Sequence, residues 1–254
     1  MAAEKSATGV GWRVFGLGVI ALAAVGLALG NFLPGQPVPK AFPDRTALAY
    51  AVGVFLLLAG LAMEWRRTAA WGAAAITAYY ALIVVVLMDG RLVLAHYREF
   101  LAYSNTAEQL AIAAGGLIVY AANARIDATR AQGLMRLGWL AFGACAVLFG
   151  FAHFFYMNLT APLVPAWLPP SQAFWGYATG VAHIAAGLAI LTGVRARLAA
   201  ILLTIMYASF TPLVHLPMLL ADPSNHGVWV ENATNLVLTG AAWVVADSLG
   251  RRET

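Results

Sequence analysis

Residues 47–64 read Ala-Leu-Ala-Tyr-Ala-Val-Gly-Val-Phe-Leu-Leu-Leu-Ala-Gly-Leu-Ala-Met-Glu, and Trp65, Arg66 and Arg67 follow. The stretch carries no charge until its last residue, Glu64. A helix that crosses the hydrocarbon layer needs about 20 apolar residues at 1.5 Å each. Indole and guanidinium groups favour the membrane–water boundary. The stretch therefore predicts a transmembrane helix that ends at the cytoplasmic face. Comparable runs flank it at 12–31, 69–88, 107–123, 136–157, 173–193, 197–219 and 229–247, the fourth being the shortest. The reading is an all-α membrane protein of eight transmembrane helices.

Composition agrees. Of 254 residues, 62% are hydrophobic and 10% charged, against about 25% charged in soluble domains. A soluble globule must turn much of its surface to water and cannot hide so much apolar side chain. The net charge of +4 does not mark a nucleic-acid binder, because the basic residues lie in short segments between apolar runs. The one cysteine, Cys145, lies inside such a run, which excludes a disulfide framework, CxxC redox chemistry and a Cys-based zinc site. The first run follows Lys5 and Arg13, but it is long for a signal peptide and lacks a small-x-small cleavage site; it is read as a helix.

Lys and Arg set the orientation. With the N-terminus inside, the inner segments hold Lys5, Arg13, Arg66, Arg67, Arg125, Arg130, Arg136, Arg195, Arg197, Arg251 and Arg252, and the outer ones hold only Lys40, Arg45, Arg91 and Arg98. Positive charge collects on the cytoplasmic side, so both termini are expected there, in a bacterial inner membrane.

The chain also repeats itself. Shifted by half its length, Tyr50-Ala51-Val52-Gly53-Val54 falls on Tyr177-Ala178-Thr179-Gly180-Val181, and Ala59-Gly60-Leu61-Ala62 on Ala186-Gly187-Leu188-Ala189. Asn31, Pro43, Thr77 and Tyr80 fall on Asn158, Pro170, Thr204 and Tyr207 at the same offset. Ala and Leu match by chance in any apolar helix; Tyr, Asn, Pro and Thr at one offset do not. Two units are expected, 1–127 and 128–254. Four helices is an even number, so both units enter the membrane the same way, a parallel repeat.

The second unit carries recognisable stretches: His153-Phe-Phe-Tyr-Met, Val164-Pro-Ala-Trp-Leu-Pro-Pro170, Phe174 to Gly193, and Arg195-Ala-Arg-Leu-Ala-Ala200. Together they resemble the DoxX-like membrane proteins, with 136–248 similar and 12–123 a degenerate copy. The resemblance implies a four-helix unit with a Pro-rich loop after its first helix. It also implies a link to thiosulfate oxidation and quinone reduction, the context of the family's best-known members. Family members often carry an acidic residue in the second helix where this chain has His183.

Ionisable groups inside a span are costly and draw attention to function. His153, His183 and His215 lie in spans of the second unit, while the first unit has Gly26, Leu56 and Met88 at the matching positions. An imidazole needed only for folding would be needed in both copies. Gly176, Gly180, His183 and Gly187 share a face at helical spacing. Thr204, Ala208, Thr211 and His215 do the same on the next helix, where Pro212 predicts a kink. Glu231, Asn235 and Thr239 follow at i, i+4, i+8. The candidate ligand-binding residues are therefore His153, His183, His215, Thr211, Glu231 and Asn235, around an outward-opening pocket in the second unit. The plain alternative is that small residues merely let helices approach and that each neutral imidazole bonds a nearby carbonyl.

Four functions compete. A redox-associated subunit would bind a quinone or similar apolar ligand in the pocket, next to a redox partner protein. Three imidazoles would alternatively hold a metal, or serve a haem. A carrier of an apolar solute, or a structural partner of another membrane protein, needs no chemistry. Glu64 with Arg66 and Arg67 reads as an interfacial charge cluster, Asp89-Gly90-Arg91 as a helix exit, and His96 and His226 as solvated loop residues. No phosphate loop, nucleophile elbow or HExxH motif is present.

Overall fold

A computed structural model describes residues 9–250; Lys5, Arg251 and Arg252, used above for orientation, lie outside them. The described residues form eight long helices: α1 (Gly11–Leu29), α2 (Arg45–Met63), α3 (Ala69–Ala95), α4 (Phe100–Asn123), α5 (Ala128–Phe155), α6 (Gln172–Thr192), α7 (Ala196–Ala221) and α8 (His226–Gly250). Two short turns, Met157–Thr160 and Ala161–Leu163, lie between α5 and α6. Six helices, α1, α2, α3, α5, α6 and α7, are long and apolar enough to cross a membrane. Their outward side chains fit that solvent: Leu58, Trp71, Leu82, Val86, Leu188 and Ile205 are all exposed, where a soluble protein would carry charge.

Neighbours in sequence are neighbours in space. Each helix from α1 to α7 packs on the next, and α8 closes the ring on α1. α4 and α8 also touch each other across the ring. They are the helices that fall short of membrane-span apolarity, because their second and third turns hold Asn105, Glu108 and Gln109, and Glu231, Asn232 and Asn235. A helix with protein on several sides need not be apolar all round, and both are rich in buried small residues, such as Ala111, Ala113, Ala114, Gly115 and Gly116 in α4. In α8, Gly240 lets the backbone meet that of Phe15 in α1, at a spacing that leaves no room for a Cβ.

One local expectation is corrected. The helix does not exit at Asp89-Gly90-Arg91. Gly90 has helical angles (φ −56°, ψ −40°), the apolar run resumes at Leu92, and α3 continues to Ala95. In α7, Pro212 produces a change of hydrogen-bond register: Thr211–His215 is π-helical. α3 has a longer π segment, Tyr79–Asp89. Such segments re-aim side chains and are frequent at functional sites. Pro212 and Pro217 offer no N–H to the ladder, and two α8 side chains serve α7 carbonyls from outside. Asn235 Nδ2 donates to Tyr207 O at 3.1 Å, and Asn232 Nδ2 donates to His215 O at 3.0 Å.

Candidate functional site

The polar residues of α4 and α8 and the imidazoles of α5 to α7 surround one cavity of about 530 Å³. It lies at the end of the bundle that carries the connections 30–44 and 222–225. The second half contributes His153, His183, Tyr207, His215, Glu231 and Asn235. The first half contributes Gln36, Tyr80, Asn105, Glu108 and Gln109. Five of the six residues singled out from the sequence thus meet at one cavity. Thr211 does not line it; its Oγ1 accepts a hydrogen bond from Asn235 Nδ2 at 3.0 Å. The expectation of a pocket built by the second unit alone is corrected: α4 lies beside α8, so the first half supplies part of the wall.

The imidazole pair forms the centre of the site. His183 is 2% exposed, and its Nδ1 lies 2.8 Å from the carbonyl of Thr179, one turn earlier in α6. His153, on α5, places Nδ1 3.1 Å from Gly176 O and 3.1 Å from Thr179 Oγ1. A carbonyl only accepts, so both Nδ1 atoms carry the proton, and each Nε2 of a neutral ring is a bare acceptor. The two rings are 5.0 Å apart, centroid to centroid. Gly180 allows this approach: a Cβ there would sit 2.9 Å from His153 Cβ. Phe149 meets His183 edge-on at 6.2 Å. Tyr207, 5.4 Å from the His183 ring, is 3% exposed, and among the described residues its hydroxyl has no hydrogen-bond partner. A buried unpaired hydroxyl costs about 1–3 kcal/mol.

Further polar groups surround this core. His215 Nδ1 is buried without a partner. Glu108 accepts a hydrogen bond from Gln109 Nε2 at 3.1 Å. Among the described residues, no group of three or more His, Cys, Asp or Glu is placed to hold a metal ion.

The sequence reading placed the inward face of α7 on Thr204, Ala208, Thr211 and His215. The buried face of its α-helical part instead runs through Ala200, Leu203, Thr204 and Tyr207, and Ala208 is exposed. Tyr207 was overlooked although its match with Tyr80 had been a signal of the repeat; both tyrosines line the cavity. Glu108 was overlooked too, at the start of the shortest apolar run. It stands at the position equivalent to Asn235. His226 begins α8, and His96 pairs with Glu99 at 2.8 Å on the surface.

The family model described as Domain of unknown function (DUF8561) matches residues 142–245. No curated protein and no solved structure matches the chain. The matched stretch contains His153, His183, Tyr207, His215, Glu231 and Asn235, and it begins after Tyr80 and Glu108 of the first-half wall.

Proposed function

We propose that this integral membrane protein binds a flat apolar ligand with polar ends, of the quinone class, in the cavity between its two halves, and that it works as a redox-associated membrane subunit beside a partner protein. The observation that carries this reading is the wall formed by His153, His183 and Tyr207. Two imidazole acceptors and an unpaired hydroxyl converge on a cavity whose other surfaces include Leu22, Ile112, Phe149, Phe210 and Leu238. About 530 Å³ falls in the range of small-molecule sites, about 300–1,000 Å³. A resident metal fits less well, since two imidazoles without a third strong ligand leave most of a coordination shell to solvent. An organic extract of protein purified in mild detergent should contain a ring ligand with a quinone or quinol absorption spectrum, at near one per chain. An extract without one, from protein that also binds no added quinone or quinol, overturns the reading.

The membrane arrangement in this proposal is eight spans in two parallel units, 1–127 and 128–254, in a bacterial inner membrane with both termini cytoplasmic. Three observations support it. α4 and α8, at 24 and 25 residues, reach about 36 Å at 1.5 Å per residue, enough to cross. The helix neighbours are the same in both halves: α1/α2, α2/α3, α3/α4 and α4/α5 correspond to α5/α6, α6/α7, α7/α8 and α8/α1. Equivalent glycines also meet. A Cβ on Gly60 would sit 3.2 Å from Gly16 O, and one on Gly187 would sit 2.6 Å from Gly143 O. The similarity of 136–248 to DoxX-like proteins accords with a four-helix unit and a quinone. Reporters fused after Arg67, Arg130 and Arg197 are expected to read cytoplasmic, and one within 159–172 external; a cytoplasmic reading there overturns the topology.

A further inference from the structure

The hydrogen-bond polarity of the wall around His153 and His183 assigns the ligand an oxidation state: we infer that this wall is built for the reduced, dihydroxy form of the ring, a quinol, in preference to the quinone. The inference rests on the quinone-class reading above and deepens it.

The argument begins with donors that are already spent. The Nδ1–H of His183 is given to Thr179 O, and that of His153 to Gly176 O. Among the described residues nothing occupies either Nε2, so each neutral ring offers the cavity a lone pair and no proton. Both N–H bonds of Asn235 are given to α7, at Tyr207 O and Thr211 Oγ1, which leaves its carbonyl oxygen as an acceptor. Around the imidazole pair, three acceptors therefore stand against one uncommitted hydroxyl, that of Tyr207. Among the described residues, no Lys or Arg lines the cavity.

A quinone carbonyl can only accept. Placed here it would satisfy Tyr207 and turn its remaining lone pair toward bare imidazole nitrogens, an unfavourable pairing in a dry site. A phenolic hydroxyl both donates and accepts. One such group can give its proton to one Nε2 while its oxygen accepts from Tyr207, so an imidazole nitrogen and the buried hydroxyl both gain a partner. A site built to pair a ligand O–H discriminates strongly against the analogue that lacks it.

The test uses the full chain in mild detergent at pH 8, above the ordinary range of a histidine at about 6.5. Three short-chain probes of one ring are compared by equilibrium dialysis under argon: the benzoquinol, the benzoquinone and the quinol dimethyl ether, which keeps the shape and has no O–H. The quinol should bind at least tenfold more tightly than either of the others. His183→Leu should remove most of that preference, whereas Tyr207→Phe should weaken quinol and quinone alike. Quinone binding equal to or tighter than quinol overturns the inference and leaves the ring-ligand reading standing. Ether binding equal to quinol also overturns it, and needs no variant to fold. Binding of none of the three probes overturns the quinone-class reading itself.

Discussion

Leu56 and His183 occupy the same place in the two halves, on the second helix of each, and both are 2% exposed. One is sealed in a hydrophobic cluster with Leu22, Ala59 and Ile76; the other lines the cavity. The pattern recurs at Gly26 and His153 and at Met88 and His215. It reverses at Glu108 and Asn235, where the first half keeps the more polar residue. The difference teaches that one helical frame can serve as packed wall or as polar wall, according to a handful of side chains. It also teaches that the polar wall is completed from both sides. The tyrosines Tyr80 and Tyr207 are common to both halves, are nearly fully buried, and belong to the frame as much as to the site.

The comparison can be broken most forcefully at the shared frame. Gly60→Leu and Gly187→Leu each drive a branched side chain into the backbone of the neighbouring helix, at Gly16 and Gly143. Overpacking of this kind costs about 1–3 kcal/mol or more, and both variants should lose detergent-stable protein to a similar degree in a thermal-aggregation assay. A large loss in one and none in the other would deny that the two contacts are equivalent.

Leu56→His comes next. It puts the second half's imidazole where no cavity waits: Nδ1 can bond the Val52 carbonyl one turn earlier, as His183 bonds that of Thr179, but Nε2 is left among apolar side chains. A buried polar group without a partner costs about 1–3 kcal/mol, so the thermal midpoint should fall, and no ligand capacity should be gained. Asn235→Leu removes two hydrogen bonds that tie α8 to the π segment of α7. At about 1 kcal/mol per bond, it should cost about 2 kcal/mol and raise hydrogen exchange in 207–215. The smallest effect on stability belongs to His183→Leu, which copies the first half's residue. Its midpoint should stay close to that of the parent while binding of the quinol probe drops about tenfold. An unchanged affinity would make His183 a packing residue and return the second half to the status of the first.

Much of this was legible in the chain. Apolar runs located all eight helices, since a helix that crosses lipid carries about 20 mostly apolar residues. Polar interruptions were read less well. Glu108 and Gln109 made the fourth run look short, yet α4 begins at Phe100, because a helix lying beside two or three others tolerates carboxyl and amide groups on its cavity side. The imidazoles were visible as residues that lipid should not hold, and all three line the cavity; their asymmetry between copies gave no sign of the first half's share of the wall.

By itself the sequence determined where the helices run, which residues recur at half the chain length, and which side chains are too polar to face lipid. Those are properties of composition and local order. The tertiary structure alone decided which face of each helix looks inward. In a soluble protein, apolar and polar faces announce this. Here Leu56 is 2% exposed and Leu58 is 60% exposed, although the two are the same residue type on one helix, because lipid accepts the same side chains as the core. With that contrast gone, the choice of Tyr207 over Ala208 as the inward residue of α7, the meeting of α4 with α8, and the sharing of one cavity by both halves follow from helix packing and from the small residues that permit it.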